Sequence, residues 1–194
     1  MHLNSELLFK KYAKAYFKHH IKVLEIGPDR LPSTYQHLVN DSTIRWETLD
    51  MCDRVGPMTH VTKNEYQFPI PDNSFDIVLS GQVIEHVKKI WVWIREVARI
   101  CKPGGHVIVI APVSWPYHEA PVDCWRIYPE GMKVLYQEAN LQVEFCRVES
   151  LEAKKYNKVV FGQTDNSSPL KRIVKRYLRI PTSCALDTVT IGRK

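Results

Sequence analysis

The chain has 194 residues, 44% hydrophobic and 25% charged, a composition ordinary for a soluble globular protein and long enough for one domain, 1–194, with a real core. Its net charge of +6 is concentrated in residues 10–22 and 171–179, and no helix-turn-helix, finger or RNA-module signature accompanies it, so no nucleic-acid partner is expected. No apolar run approaches bilayer length, charges interrupt the N-terminus as a secretory signal, and the cysteines (Cys52, Cys101, Cys124, Cys146, Cys184) are scattered; the expectation is a cytoplasmic protein without disulfides or a metal.

In chain order, Asn4 or Ser5 can cap a first helix running to about His19, with Leu8, Tyr12, Ala15 and Tyr16 along one side. IKVLEIG (21–27) is a short apolar run closed by glycine, which predicts a buried strand and a tight turn. RWETLDM (45–51) and SFDIVLSG (74–81) are further strands, the latter following the turn-rich FPIPDN. Residues 83–105 read as a helix, with Ile90, Ile94, Val97 and Cys101 at helical spacing and Gly104–Gly105 as the stop. HVIVIAPV (106–113) is β-branched at most positions and so predicts a strand buried on both faces. A helix over 128–140 and closing strands at 143–148 and 186–194 complete the pattern. Strands alternating with helices predict an α/β fold, a doubly wound, mostly parallel sheet with helices on both faces.

VLEIGPD (23–29) places Gly27 just after the first strand, where the chain must turn and a ligand can approach its backbone. Glu25 is unusual in a buried strand and needs a donor, such as an ammonium group. Asp50 ends the second strand, where a carboxylate can accept both hydroxyls of a ribose. With TLDM, FPIPDNSFDIVLSGQVIEHV and ARICKPGGHVIVIAPV, these pieces resemble the class I methyltransferases of the type 11 group over about residues 20 to 113. The resemblance implies a seven-stranded Rossmann-like sheet and S-adenosylmethionine as cofactor. By position, it implies that Glu25 and Gly27 form the first loop, Asp50 holds the ribose and Met51 packs on the adenine. Asn64 and Glu65 would lie near the adenine amino group, and Ser80 would contribute backbone. Pro28 and Asp29 stand where such loops usually carry further glycines.

Residues 113–131, VSWPYHEAPVDCWRIYPEG, follow the strand 106–113 at its carboxyl end, where open α/β sheets bind ligands. Trp115, Tyr117, Trp125 and Arg126, with His86 upstream, are candidate acceptor contacts. His118 is the candidate base because imidazole titrates near neutrality, and Asp123 is a second base or the group that orients it. The acceptor expected is a small polar molecule, a sugar or metabolite hydroxyl, or a lipid-linked glycan. SPLKRIVKRYLRIP (168–181) is a basic amphipathic helix, with Leu170, Ile173, Val174, Tyr177 and Leu178 on one face. It is expected to lid the active site, with contact to an anionic membrane as the sharper alternative. A nicotinamide-dependent oxidoreductase and a non-catalytic cofactor-binding protein remain competing readings, and the residues do not specify an oligomeric state.

Overall fold

A computed structural model of the chain describes residues 1–119 and 121–194. The strands are β1 (Lys22–Ile26), β2 (Arg45–Asp50), β3 (His60–Val61), β4 (Phe75–Gly81), β5 (Cys101–Ser114), β6 (Gln142–Glu149), β7 (Val159–Phe161), β8 (Thr182–Cys184) and β9 (Leu186–Arg193). Seven of them form one sheet in the order β3-β2-β1-β4-β5-β9-β6, and β7 and β8 pair separately. Every neighbouring pair from β3 to β5 is parallel, whereas β9 runs antiparallel to both β5 and β6.

Period-two alternation explains how the sheet fills two cores. In β5, Val107 and Val109 face a cluster built with α3 (Ile90–Ile100) and α4 (Pro129–Glu138), where Trp93, Ile94, Met132 and Tyr136 are buried. Ile108 and Ile110 face the other side, against Leu8 of α1 (Leu3–Leu8), Phe9, and Tyr35 of α2 (Thr34–Val39). Both faces are apolar because both are covered, as a doubly wound sheet requires.

Several expectations change in detail. The first helix is regular only to Leu8, then widens into a π turn over Phe9–Ala13 and tightens over Lys14–Tyr16. Neither Asn4 nor Ser5 caps it. Asn4 donates to Asp187 Oδ2 at 2.6 Å, and the Ser5 hydroxyl pairs with that of Tyr35 at 2.8 Å, because both side chains are buried and buried polar groups need partners. The helix expected over 83–105 is divided. A single turn, Ile84–His86, precedes α3, and β5 begins at Cys101, which pairs with Phe75 ahead of the glycines.

α5 (Pro169–Tyr177) forms where expected, capped by Ser168, but it lids nothing: no residue of it is buried, and Leu170, Ile173 and Tyr177 are 76%, 66% and 87% exposed. Among the described residues, no helix is long and apolar enough to cross a membrane.

Candidate active site

The carboxyl edge of the central strands gathers the residues singled out for a cofactor. Gly27 follows β1 with φ +69°, in the left-handed region, and a Cβ there would stand 2.4 Å from Val83 Cγ2. Only glycine fits. Its N–H donates to the Leu49 carbonyl at 2.9 Å, which ties the loop to β2 one residue before Asp50. Ile26 is in register with Ser80 on its other side. Gly27, Asp50 and Ser80 therefore share one edge. Asp50 is half-buried, and its Oδ1 accepts from Met51 N at 2.6 Å; Met51 itself is exposed. Thr62 N donates to the Asp50 carbonyl at 3.0 Å and the Thr62 hydroxyl to the Asn64 carbonyl at 2.9 Å, carrying Asn64 and Glu65 onto the same side. The Ser80 hydroxyl is buried without a protein partner.

Glu25, expected to need a donor, meets two within the chain. Its carboxyl accepts from the Ser33 hydroxyl and from Trp46 Nε1 at 3.0 Å, and burial pushes it up to about 7. Both donors meet Oε2, which ties the end of β1 to Ser33 and Trp46. Asp29 accepts from Thr34 N at 3.0 Å and from the Thr34 hydroxyl at 2.7 Å. The side chain thus supplies a turn that a second glycine would not.

The segment after β5, of which Ala120 lies outside the described residues, is fastened to the turn after β4. Cys124 N donates to the Glu85 carbonyl at 2.8 Å, His86 Nδ1 lies 2.6 Å from the Val122 carbonyl, and Trp125 Nε1 donates to Val87 O at 2.9 Å. These bonds bring His86 and His118 edge to face, with ring centroids 4.9 Å apart. His118 Nδ1 lies 3.1 Å from Pro116 O and 3.2 Å from Asp123 Oδ2. Burial lowers the His86 pKa, favouring the neutral ring.

Not every candidate is available to an acceptor. Arg126 bonds Asp123 through two nitrogens and also donates to the carbonyls of Trp115, Pro116 and Trp125. Its donors are committed to the loop, which leaves few of them for an acceptor. The same guanidinium holds Asp123 down to about 2, which suits an orienting carboxylate and not a base. Trp125 packs on the core and stands edge-on to Trp91. Trp115 stacks on His2 at 4.6 Å, and Tyr117 is 72% exposed, bonded to Glu119.

Sequence reasoning passed over three residues here. Glu85 is 1% exposed, its Oε2 has no protein partner, and burial pushes its carboxyl up to about 8. Asp187, fully buried, gathers His2 Nε2 at 3.1 Å, Asn4 Nδ2 at 2.6 Å and Gln82 Nε2 at 3.2 Å. Gln82 has φ +62°, a conformation that non-glycine residues adopt rarely and that concentrates at functional sites. The one signal in the sequence was a Glu-His pair just beyond a strand end. A groove of about 680 Å³ lined by Tyr16, Lys18, Asp76 and His106 lies at the opposite, amino-terminal edge and touches none of this.

Residues 10–109, just over half the chain, match the type 11 family model described as a methyltransferase domain. A ubiquinone/menaquinone biosynthesis C-methyltransferase of Shewanella sp. (strain ANA-3) is 31% identical over 130 residues, covering 59% of this chain and 51% of that protein. The chain therefore spans about half the length of the Shewanella relatives it matches. Among solved structures, a SAM-dependent methyltransferase from Archaeoglobus fulgidus superposes with a TM-score of 0.66 at 17% identity, covering 97% of this chain and 92% of that one. A putative methyltransferase of Haloferax volcanii, solved with the Trm112 methyltransferase activator, gives 0.64 at 18% identity, with 97% and 92% coverage. At such identities these structures speak to the fold.

Proposed function

The chain belongs to the family of class I, S-adenosylmethionine-dependent methyltransferase domains, and from that premise we propose that it methylates a hydroxyl of a small polar acceptor, a sugar or related metabolite. One observation carries the reading: Gly27, Asp50 and Ser80 share the carboxyl edge of the sheet, and His86 and His118, which pair ring to ring, follow β4 and β5 at that same edge.

The residues fit the cofactor. The left-handed turn at Gly27 brings bare backbone to the strand edge, the half-buried Asp50 carboxylate suits a ribose diol, and the unpartnered Ser80 hydroxyl is an orphan that a ligand can satisfy. Met51 would pack on the adenine. Asn64 Oδ1 already accepts from Tyr66 N at 2.9 Å, so its amide nitrogen would meet a ring nitrogen and not the adenine amino group; Glu65 remains beside it for that group. When bound, S-adenosylmethionine supplies a methyl group on an electron-poor sulfur.

The chain's own work is to place the acceptor, keep water away and take the hydroxyl proton. Both neighbours of His118 Nδ1 are acceptors, so that nitrogen carries the hydrogen and the other offers a lone pair. His118 is the proposed proton acceptor, Asp123 its positioning residue, and Trp115, Tyr117 and His86 the walls. The bare apolar face of α5, rimmed by Lys171, Arg172, Arg176 and Arg179, supports an acceptor presented on a lipid at an anionic surface.

A second reading, methylation at carbon on a phenolic ring, is favoured by the names of the Shewanella relatives. Incubation with labelled cofactor and a panel of glycosides, lipid-linked sugars and phenols tests both. A methyl ether supports the proposal, a ring C-methyl product supports the second reading, and NAD binding without S-adenosylmethionine binding refutes both.

A further inference from the structure

Glu85, His86 and His118 form a cluster in which one ligand atom from each lies within 4.8 Å of the others. Three features make it a prepared donor set. First, His86 Nδ1 faces a backbone carbonyl and His118 Nδ1 faces a carbonyl and a carboxylate, so in each neutral ring Nδ1 is the donor and Nε2 is the nitrogen left to bind a metal. A metal-binding histidine is normally oriented in this way, with its second nitrogen donating to a carbonyl or carboxylate. Second, Glu85 Oε2 is buried without a protein partner, and His86 Nε2 stands 3.8 Å from Glu85 Oε1. Third, the outer ring is rigid: Arg126 fixes the Asp123 carboxylate that faces His118, and Cys124 N is bonded to Glu85 O. None of the cysteines takes part, so cysteine spacing could not have indicated it.

We propose that these three residues bind one divalent transition-metal ion, a two-histidine, one-carboxylate site of the kind that takes zinc or ferrous iron. Ligand atoms about 2.1 Å from an ion stand roughly 3 to 3.5 Å apart, so side-chain rotations of about an ångström close the set. With three protein ligands the ion keeps open positions. Resting on the oxygen-acceptor reading above, these would receive the acceptor hydroxyl and lower its pKa, so that its proton passes to solvent water and His118, held by the ion, no longer serves as the base. The ion and the free imidazole base compete for the same lone pair of His118, and only one of them can occupy it. Because Glu85 and His86 follow β4 while His118 follows β5, the ion would also staple the acceptor segment to the sheet.

The test uses the whole chain, stripped with chelator and titrated with Zn²⁺ or Co²⁺ alone, with no cofactor present. Calorimetry and the cobalt absorption spectrum should show one ion per chain, and hydrogen exchange over residues 115–128 should slow on loading. His118→Ala, at a half-exposed position that leaves the core intact, should weaken binding at least tenfold, as should Glu85→Gln. His37→Ala, remote from the cluster, should not. Absence of saturable binding overturns the proposal, and so does binding that His86→Ala and His118→Ala leave unchanged. S-adenosylmethionine titrated separately into stripped protein reports on the methyltransferase reading: cofactor binding without metal binding sinks the site alone, and metal binding without cofactor binding sinks the enzyme reading alone.

Discussion

Arg126 grips Asp123 with two hydrogen bonds, of 2.5 and 2.7 Å, and in the same fork holds the carbonyls of Trp115 and Pro116. The Asp123 side chain is only 2% exposed. Removing the guanidinium in Arg126→Ala would leave the Asp123 carboxylate with His118 as its remaining partner and Oδ1 without one, at a cost of about 1 to 3 kcal/mol. Arg126→Lys should recover only part of it, since one ammonium cannot span the carboxylate and the carbonyls together. Urea unfolding of the three proteins checks the order, and equal stabilities would remove Arg126 from its place as the organiser of this loop.

Asp50→Ala should weaken S-adenosylmethionine binding roughly tenfold to a hundredfold, the worth of a charged hydrogen-bond acceptor, with little change in stability. Gly27→Ala should lose both, because the alanine methyl meets Val83 and the left-handed backbone resists it. Calorimetric titration beside thermal melting separates the two effects.

Glu25 makes stability depend on pH. Its folded pKa, about 7, stands above the ordinary 4.5, so the folded chain holds a proton that the unfolded chain has already released. This contribution is complete below pH 4.5 and is lost as pH rises to about 7, a swing on the order of 3 kcal/mol. Glu25→Gln keeps an acceptor for Ser33 and Trp46 but cannot ionise. The stability difference between the two proteins should therefore grow in the variant's favour from pH 4.5 to 7 and then level off. A difference that stays flat across this range would show that Glu25 is charged in the fold.

α5 should bring the protein to vesicles containing phosphatidylglycerol and not to phosphatidylcholine alone, with binding weakened by salt. Leu170→Asp combined with Ile173→Asp should abolish it without altering the fold, since neither side chain is buried. Equal sedimentation of variant and parent with acidic vesicles would leave the lipid-linked acceptor without its main support.

The sheet was legible because both of its signals are local. β-Branched runs such as 106–113 announce strands buried on both faces, and Gly27 with Asp50 announces the ligand edge. The break after residue 83 was not legible: Ile90, Ile94 and Val97 keep helical spacing, while the turn upstream is set by partners around forty residues away, Val122 and Cys124. The two-residue β3 and six-residue α2 are too short to show a period. Glu85 and Asp187 read as ordinary polar residues in the chain, because burial is a property of the fold around them.

The position of β9 has a consequence for how the protein comes into being. It leaves the ribosome after both β5 and β6, yet it lies between them, so β6 has no neighbour to pair with while it is being synthesised. The two bands of backbone hydrogen bonding on either side of β9 can form only after β9 itself has emerged. Until then β5 presents an open border to other nascent chains, and that interval is when a chaperone would matter most.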